Sequence, residues 1–363
     1  MKWLQLKNPE TVASPGLLVD PDRISQNIQS MISIVGGLDH VSRLRPHVKT
    51  YKMPEVVRMQ LAAGIRSFKA ATISELQMVA SAGADDVLLA YQGVGPNLDR
   101  LAGLAHQFPK TDFAAVTDDI DSAKKIAGRL GNDQRPFRLF IDVDCGMHRT
   151  GIAIGPEMER LRDWIETQGD VQFAGLHVYD GHIHDASLAA RREQAGLVIE
   201  AIKKYDHDRG VPTVIGGGSP TFGCWATETT WQCSPGTTLL WDVGYGRSYP
   251  ELEFCIAAAL LTRVISKPTD DLVCLDLGYK AVASEMPLER RVTLPDIPDA
   301  QLVAHSEEHL VVRTSHAAKL SIGDSLLAFP THICPTVALH AYATVIRDGE
   351  ATDETWRVTA RDR

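Results

Sequence analysis

The chain's 363 residues, 44% hydrophobic and 23% charged, have the balance of a soluble enzyme and enough length for two domains, or for one barrel with an appendage. A formal net charge of −9 without a long basic run argues against nucleic-acid binding. Residues 1–10 contain no apolar signal core and no apolar run approaches a membrane span (254–261 is far too short), so a cytoplasmic enzyme is expected.

Residues 16–20 read as a strand and 21–35 as a helix. The segment 45–52 leads into a helix at 55–63, followed by a strand at 67–70 and a helix at 72–82 stopped by Gly83. A strand at 86–90, a helix at 97–107 and strands at 113–116, 137–142, 173–178 and 213–215 continue the alternation. Strands and helices alternating at this spacing make parallel βαβ units, and about eight of them close into a barrel rather than an open sheet. No GxGxxG follows the first strand, which weighs against a dinucleotide-binding sheet. Beyond about Gly246 helical periodicity fades, and β-branched runs at 258–265, 272–277, 309–314, 325–329 and 341–346 predict an antiparallel β domain, to which 3–7 would add a strand. The cysteines Cys145, Cys224, Cys233, Cys255, Cys274 and Cys334 form no CxxC pair or disulfide framework, and all but Cys334 read as small hydrophobes.

The segment Arg-Pro-His-Val-Lys-Thr-Tyr-Lys at 45–52 ends where a strand hands over to a helix, which in an α/β barrel is the catalytic mouth. Lys49, partly desolvated there and flanked by Arg45 and Lys52, becomes a usable amine nucleophile. Gly216, Gly217 and Gly218, then Ser219 and Thr221, follow a late strand, where barrels commonly hold phosphate; Gly236 and Thr237 lie one unit later and would close the same cradle. At 142–151, Arg149 is placed to meet a cofactor oxygen or a substrate carboxylate, while Asp142 and Asp144 alternate with Ile141 and Val143 as if facing a polar barrel core. His177, Tyr179, His182 and His184 lack the cysteine or carboxylate pattern that would complete a metal shell, and read instead as groups gripping an aromatic cofactor and positioning substrate. In 330–335, read as extended, His332 and Cys334 face the same way, and an imidazole with a thiolate suits zinc better than manganese or magnesium. Two protein ligands leave positions open for substrate and water. Arg191 and Arg247 read as surface residues rather than substrate-carboxylate ligands.

Together these segments resemble the fold type III pyridoxal-phosphate enzymes of the D-threonine aldolase/D-serine dehydratase family. The resemblance rests on Arg-Pro-His-x-Lys at 45–49, Asp-Val-Asp-x-Gly-x-x-Arg-Thr-Gly at 142–151, the triple glycine at 216–218, Leu-Asp-Leu-Gly-Tyr-Lys at 275–280 and His-x-Cys at 332–334. It implies a (β/α)8 barrel of the alanine-racemase type at 14–245, an antiparallel β domain from 1–13 and 246–363 carrying the metal pair, and a homodimer. It further implies Lys49 as the Schiff-base lysine of pyridoxal 5'-phosphate, with His47, Arg149, Tyr179, Gly217, Gly218, Ser219, Gly236 and Thr237 around the cofactor. His332 and Cys334 become ligands of a catalytic divalent metal, zinc in preference to manganese. The implied substrate is a β-hydroxy-D-amino acid, cleaved by retro-aldol chemistry to glycine and an aldehyde. Cys334 stands where the family's aldolases carry aspartate, and this departure keeps open a zinc-dependent dehydration of D-serine or 3-hydroxy-D-aspartate to a keto acid and ammonia. An amino-acid racemase using Tyr279 or Tyr342 as second base, or a non-catalytic cofactor carrier, would leave the His-x-Cys idle.

Overall fold

A computed structural model describes residues 4–363. The chain divides into two compact units. One comprises Met31–Lys49, Pro54–Gly236 and Asp362–Arg363; the other takes the residues up to Ser30 with Thr50–Met53 and Thr237–Arg361.

The first unit is a curled parallel sheet. After β1 (Gly16–Val19) the strands are β2 (Ser67–Ala70), β3 (Asp86–Leu89), β4 (Asp112–Thr117), β5 (Phe137–Val143), β6 (Val171–Val178), β7 (Val214–Gly216) and β8 (Gln232–Cys233). From β2 to β8 they pair in sequence order. The segment 44–47 closes the ring, because Leu44 bridges Cys233 of β8 and His47 bridges Lys69 of β2. Helices follow most strands, as the apolar periodicity predicts. Thr72 caps the helix Ile73–Ser81 by accepting from the Glu75 N–H, and Asp119 caps Ile120–Leu130 by accepting from the Ser122 N–H. The helix at 73–81 stops at Gly83, whose φ of +94° an L side chain would resist.

Strand alternation stacks the barrel interior in layers. At the N-terminal end of the strands, Arg45 places its guanidinium 2.6 Å from Asp86, which also pairs with Arg138 at 2.7 Å. Above them Leu88, Ala114, Val116, Phe140, Ala174 and Ile215 form an apolar plug. At the C-terminal mouth Lys69, Asp142, His177 and Ser234 make a second polar layer, fully enclosed.

β1 is not a barrel strand. The sequence pattern predicts Gly16–Val19 as the first stave, yet it pairs antiparallel with β9 (Ala258–Thr269) and parallel with β15 (Tyr342–Arg347) in the second unit. Leu17, Leu18 and Val19 are all buried, a run suited to the centre of any sheet, so periodicity could not choose its partner. The remaining strands there are β10 (Leu272–Leu275), β11 (Val292–Thr293), β12 (Gln301–His305), β13 (Leu310–Arg313), β14 (Ser325–Pro330) and β16 (Glu350–Arg357). The sheet is nine-stranded, ordered β12-β13-β10-β9-β1-β15-β16, with β14 joining β9 and β11. Every pairing in it except β1–β15 is antiparallel. Of the predicted strand at 3–7, Trp3 lies outside the described residues; 4–7 forms no strand, although the Lys7 N–H donates to the Gly349 carbonyl at 2.7 Å. Among the described residues no helix is long and apolar enough to cross a membrane.

Burial opposes ionisation of Asp86, but the hydrogen bonds and charges of Arg45 and then Arg138 outweigh it and hold the carboxyl at about 2. A carboxyl depressed in the folded state stabilises above its unfolded value and loses that contribution as pH falls through the folded one. Asp86 is therefore expected to contribute about 2 kcal/mol above pH ~4, lost toward pH ~2. Asp86→Asn, which strands two guanidiniums, should cost at least that much in urea denaturation at pH 7; an unchanged midpoint would refute the ion cluster's role.

Candidate active site

At the barrel mouth Tyr179, just beyond β6, gathers cations around its ring. Lys49 Nζ lies 5.6 Å, Lys69 Nζ 5.5 Å and the Arg149 guanidinium 5.0 Å from the ring centroid. Lys49 is half-buried, two residues beyond the closing bridge at His47, whose N–H donates to the Pro235 carbonyl at 2.8 Å. Barrel closure thus fixes the backbone that carries Lys49.

Below the ring runs a buried chain of polar groups. His177 Nδ1 lies 2.7 Å from Asp142 Oδ1, which places the proton on Nδ1 and leaves Nε2, 3.4 Å from Lys69 Nζ, as an acceptor. Lys69 donates to Ser234 Oγ at 2.6 Å, and Thr150 Oγ1 donates to Asp142 at 2.9 Å. Burial, then the charge of Lys49, lowers the Lys69 amine from 10.5 to about 7, against the pull of Asp142 and Asp180 and with help from Arg149. His177 is also lowered, first by burial and then by Lys69.

The glycine run after β7 is shaped by close approaches. A Cβ on Gly216 or Gly217 would run into the Trp225 ring, and Gly217 sits at φ +75°. A Cβ on Gly218 would come 3.1 Å from Tyr179 Cε2, so that glycine keeps open the space beside the aromatic ring. Asp180, fully buried, ties the run down by accepting from Trp225 Nε1 at 2.7 Å and Thr221 Oγ1 at 2.9 Å, and burial pushes its carboxyl up. Ser219 Oγ accepts from the Gly236 N–H at 3.1 Å, joining the two loops expected to form one cradle. An amine, a flat aromatic, an arginine and a hydroxyl-bearing glycine cradle fit pyridoxal phosphate. Thr237, also expected in that cradle, has its hydroxyl 3.5 Å from Cys334 Sγ.

In the second unit His332 and Cys334 are not in an extended segment, contrary to the sequence reading. His332 is the residue before a helix, Ile333–Leu339, so Cys334 lies in its first turn. Two side chains nonetheless meet there: burial alone would lower the imidazole, but contact with Cys334, then Glu285 and Asp242, raises it to about 9. Glu285 Oε1 lies 2.6 Å from His332 Nδ1, which orients the ring and leaves Nε2 for a metal, the carboxylate–histidine arrangement of metal sites. Asp242 accepts from the Ile333 N–H at 3.1 Å and from the Tyr245 N–H at 2.9 Å, which holds the turn in place. Thr50 Oγ1 lies 3.1 Å from Cys334 Sγ. The imidazole–sulfur donor set fits zinc. Among the described residues no group of three or more His, Cys, Asp or Glu is arranged to hold a metal, and His332 with Cys334 forms a pair of donors.

Sequence reasoning missed Lys69, Glu285, Asp242 and Thr50. Only Lys69 left a signal, a lysine among apolar neighbours in a barrel strand. The histidine-rich stretch disperses: His177 enters the barrel interior, while His184 is exposed. Asp142 faces the interior as expected, but Asp144 turns into its own loop and accepts from the Gly146 and His148 N–H groups. Arg191 is not a surface residue; it is fully buried and donates to the Asp185, Ala186 and Pro220 carbonyls, a structural clamp. Arg247 is exposed and donates to Thr293. Tyr279 and Tyr342 are 39% and 57% exposed, and Tyr279 packs edge-on against His305.

Lys69 makes a distinct stability signature. Between pH ~7 and ~10 the unfolded chain keeps the proton that the folded barrel has lost, so this residue makes stability rise with pH, by up to about 1.4 kcal/mol per pH unit. Lys69→Met should remove that slope in urea denaturation between pH 7 and 10. A variant as steep as the parent would show that Lys69 stays charged.

Comparison with known proteins agrees with this fold. Residues 19–242 match the family model "Alanine racemase, N-terminal domain", and residues 257–346 match "Putative serine dehydratase domain". A D-threonine aldolase from Arthrobacter sp is 27% identical over 360 residues, covering 96% of this chain and 93% of that protein. A 3-hydroxy-D-aspartate aldolase from Paracoccus denitrificans (strain Pd 1222) is 27% identical over 377 residues, covering 97% and 93%. The crystal structure of D-threonine aldolase from Filomicrobium marinum matches with a TM-score of 0.88 at 25% identity, covering 99% of this chain and 98% of that one. The chain belongs to the alanine racemase N-terminal domain family, within the D-threonine aldolase/D-serine dehydratase group of fold type III pyridoxal-phosphate enzymes.

Proposed function

We propose that this protein is a pyridoxal-phosphate- and metal-dependent lyase of β-hydroxy-D-amino acids, with retro-aldol cleavage to glycine and an aldehyde as its reaction. The observation that carries this reading is the presence in one chain of the Lys49–Tyr179–Arg149 amine site and of a carboxylate-oriented His332–Cys334 pair. Bound pyridoxal phosphate supplies an electron sink for the pair released at Cα, and a divalent metal, zinc in preference to manganese, supplies Lewis acidity for a hydroxyl.

The chain's own residues divide the remaining work. Lys49 would hold the cofactor through its amine, and the same amine is placed at the mouth to move a proton to or from Cα. Tyr179 gives the cofactor a flat wall, and Arg149 beside it meets a cofactor or substrate oxygen. His47, Gly217, Gly218, Ser219 and Gly236 would line or build the cradle, with Thr237 the next residue after Gly236. His332 and Cys334 would hold the metal, with Glu285 and Asp242 positioning them. Thr50, next to Lys49 in the chain, touches Cys334. The same resemblance supports a homodimer.

A second reading rests on Cys334. Dehydration takes the proton from Cα and expels the β-hydroxyl, giving a keto acid and ammonia, and a sulfur ligand suits zinc-assisted loss of hydroxide. D-Threonine given to the cofactor- and zinc-loaded protein separates the two: glycine with acetaldehyde is expected, and 2-oxobutanoate with ammonia would replace the aldolase by the dehydratase. His332→Ala should keep the visible absorbance of the bound cofactor while turnover falls at least ~100-fold, as should treatment with chelator. Undiminished turnover in either case would contradict the metal role.

A further inference from the structure

Beside Lys49 the barrel mouth opens into a cavity of about 360 Å³ whose walls include His47, Lys49, Tyr91, Arg100, Arg149 and Arg363. Among the described residues no acidic side chain lines it. Among the described residues, Lys49, Arg100, Arg149 and Arg363 form no ion pair with a carboxylate. Arg100 donates to Asn97 Oδ1 at 3.2 Å, and Asn97 in turn donates to Tyr91 OH at 3.1 Å, a neutral link that leaves the guanidinium's charge uncompensated. The Lys49 amine and the Arg149 guanidinium approach the face of the Tyr179 ring, 5.6 and 5.0 Å from its centroid. The arginines at the other end of the barrel are the contrast, since Arg45 and Arg138 share Asp86.

A count of charges then narrows the substrate. Lys49 is committed to the cofactor, and Arg149 suffices for a cofactor oxygen or the single α-carboxylate that every amino acid brings. Arg100 remains, at a wall that a methyl or hydrogen side chain would leave bare. Guanidinium groups recognise carboxylates by paired, charge-assisted hydrogen bonds, and a cavity with one sign of charge concentrates the oppositely charged ligand. Resting on the lyase reading, we infer that the substrate is a β-hydroxy-D-amino acid whose side chain is itself anionic, 3-hydroxy-D-aspartate being the smallest, with Arg100 as its specificity residue. The cleavage balances without a co-reactant. The β-hydroxyl loses its proton, the Cα–Cβ bond breaks, Cβ leaves as the aldehyde carbon of glyoxylate, and Cα takes up a proton to give glycine.

The test compares 3-hydroxy-D-aspartate with D-threonine on the cofactor- and metal-loaded enzyme, alongside calorimetric binding of succinate and of butyrate. kcat/KM should be at least ~10-fold higher for the diacid and should fall with added salt. Arg100→Gln, which removes the charge without reversing it, should lower the ratio of kcat/KM for the diacid to that for D-threonine at least ~10-fold, chiefly through KM for the diacid, and should weaken succinate more than butyrate. A preference for D-threonine, or succinate binding no tighter than butyrate, overturns the inference and leaves the lyase intact. Arg100-dependent succinate binding without turnover of either amino acid supports the anionic pocket and contradicts the lyase.

Discussion

Closure of the barrel by the segment 44–47 is the constraint on which the rest of the mouth depends. The chain enters between β8 and β2, bridging Cys233 with Leu44 and Lys69 with His47, and emerges at the mouth two residues later with Lys49. The same segment sends Arg45 inward to Asp86, so the first stave is fastened by backbone pairing on both edges and by an ion pair underneath. Lys49 lies in the turn just past that segment, so its place is inherited from the bridge at His47 rather than from a strand of its own. An amine held on so short and doubly paired a segment is pre-organised at little entropic cost.

The interior above it shows how a barrel tolerates charge. An apolar plug separates the Arg45–Asp86–Arg138 cluster from the Lys69–His177–Asp142 chain. Each buried charge has a counter-charge or hydrogen-bond partner within reach, the condition under which burial is bearable. Lys69 spans from β2 toward β6 and β8, strands on different sides of the ring, so it braces the mouth from within. Its amine is buried under the Tyr179 ring and is tied through Ser234 to the Gly217 carbonyl, which makes it a support for wall and cradle, while the half-buried Lys49 is the more accessible amine.

Much of this was legible in the residues. The alternation of strands and helices, the triple glycine and the Asp-Val-Asp-x-Gly-x-x-Arg-Thr-Gly segment each have a local physical cause that survives folding. Other features depend on partners distant in sequence. β1 has the composition of a buried strand but is claimed by β9 and β15, and no periodicity reports that choice. His332 and Cys334 were paired for the wrong geometric reason: the turn into a helix, held by Asp242, brings their side chains together where extension was expected. Glu285 lies 47 positions before His332 in the chain and carries no mark of its role. The uncompensated arginines of the mouth were equally silent, because a missing carboxylate partner is visible only when neighbours in space are known.

Two lysines approach one aromatic ring, and the account depends on which of them holds the cofactor. Borohydride reduction of the holoenzyme followed by peptide mapping answers this directly. The reduced pyridoxyl group is expected on the peptide containing Lys49, with the peptide containing Lys69 unmodified. Modification of Lys69, or of neither lysine, would contradict the assignment of the catalytic amine and the geometry built upon it.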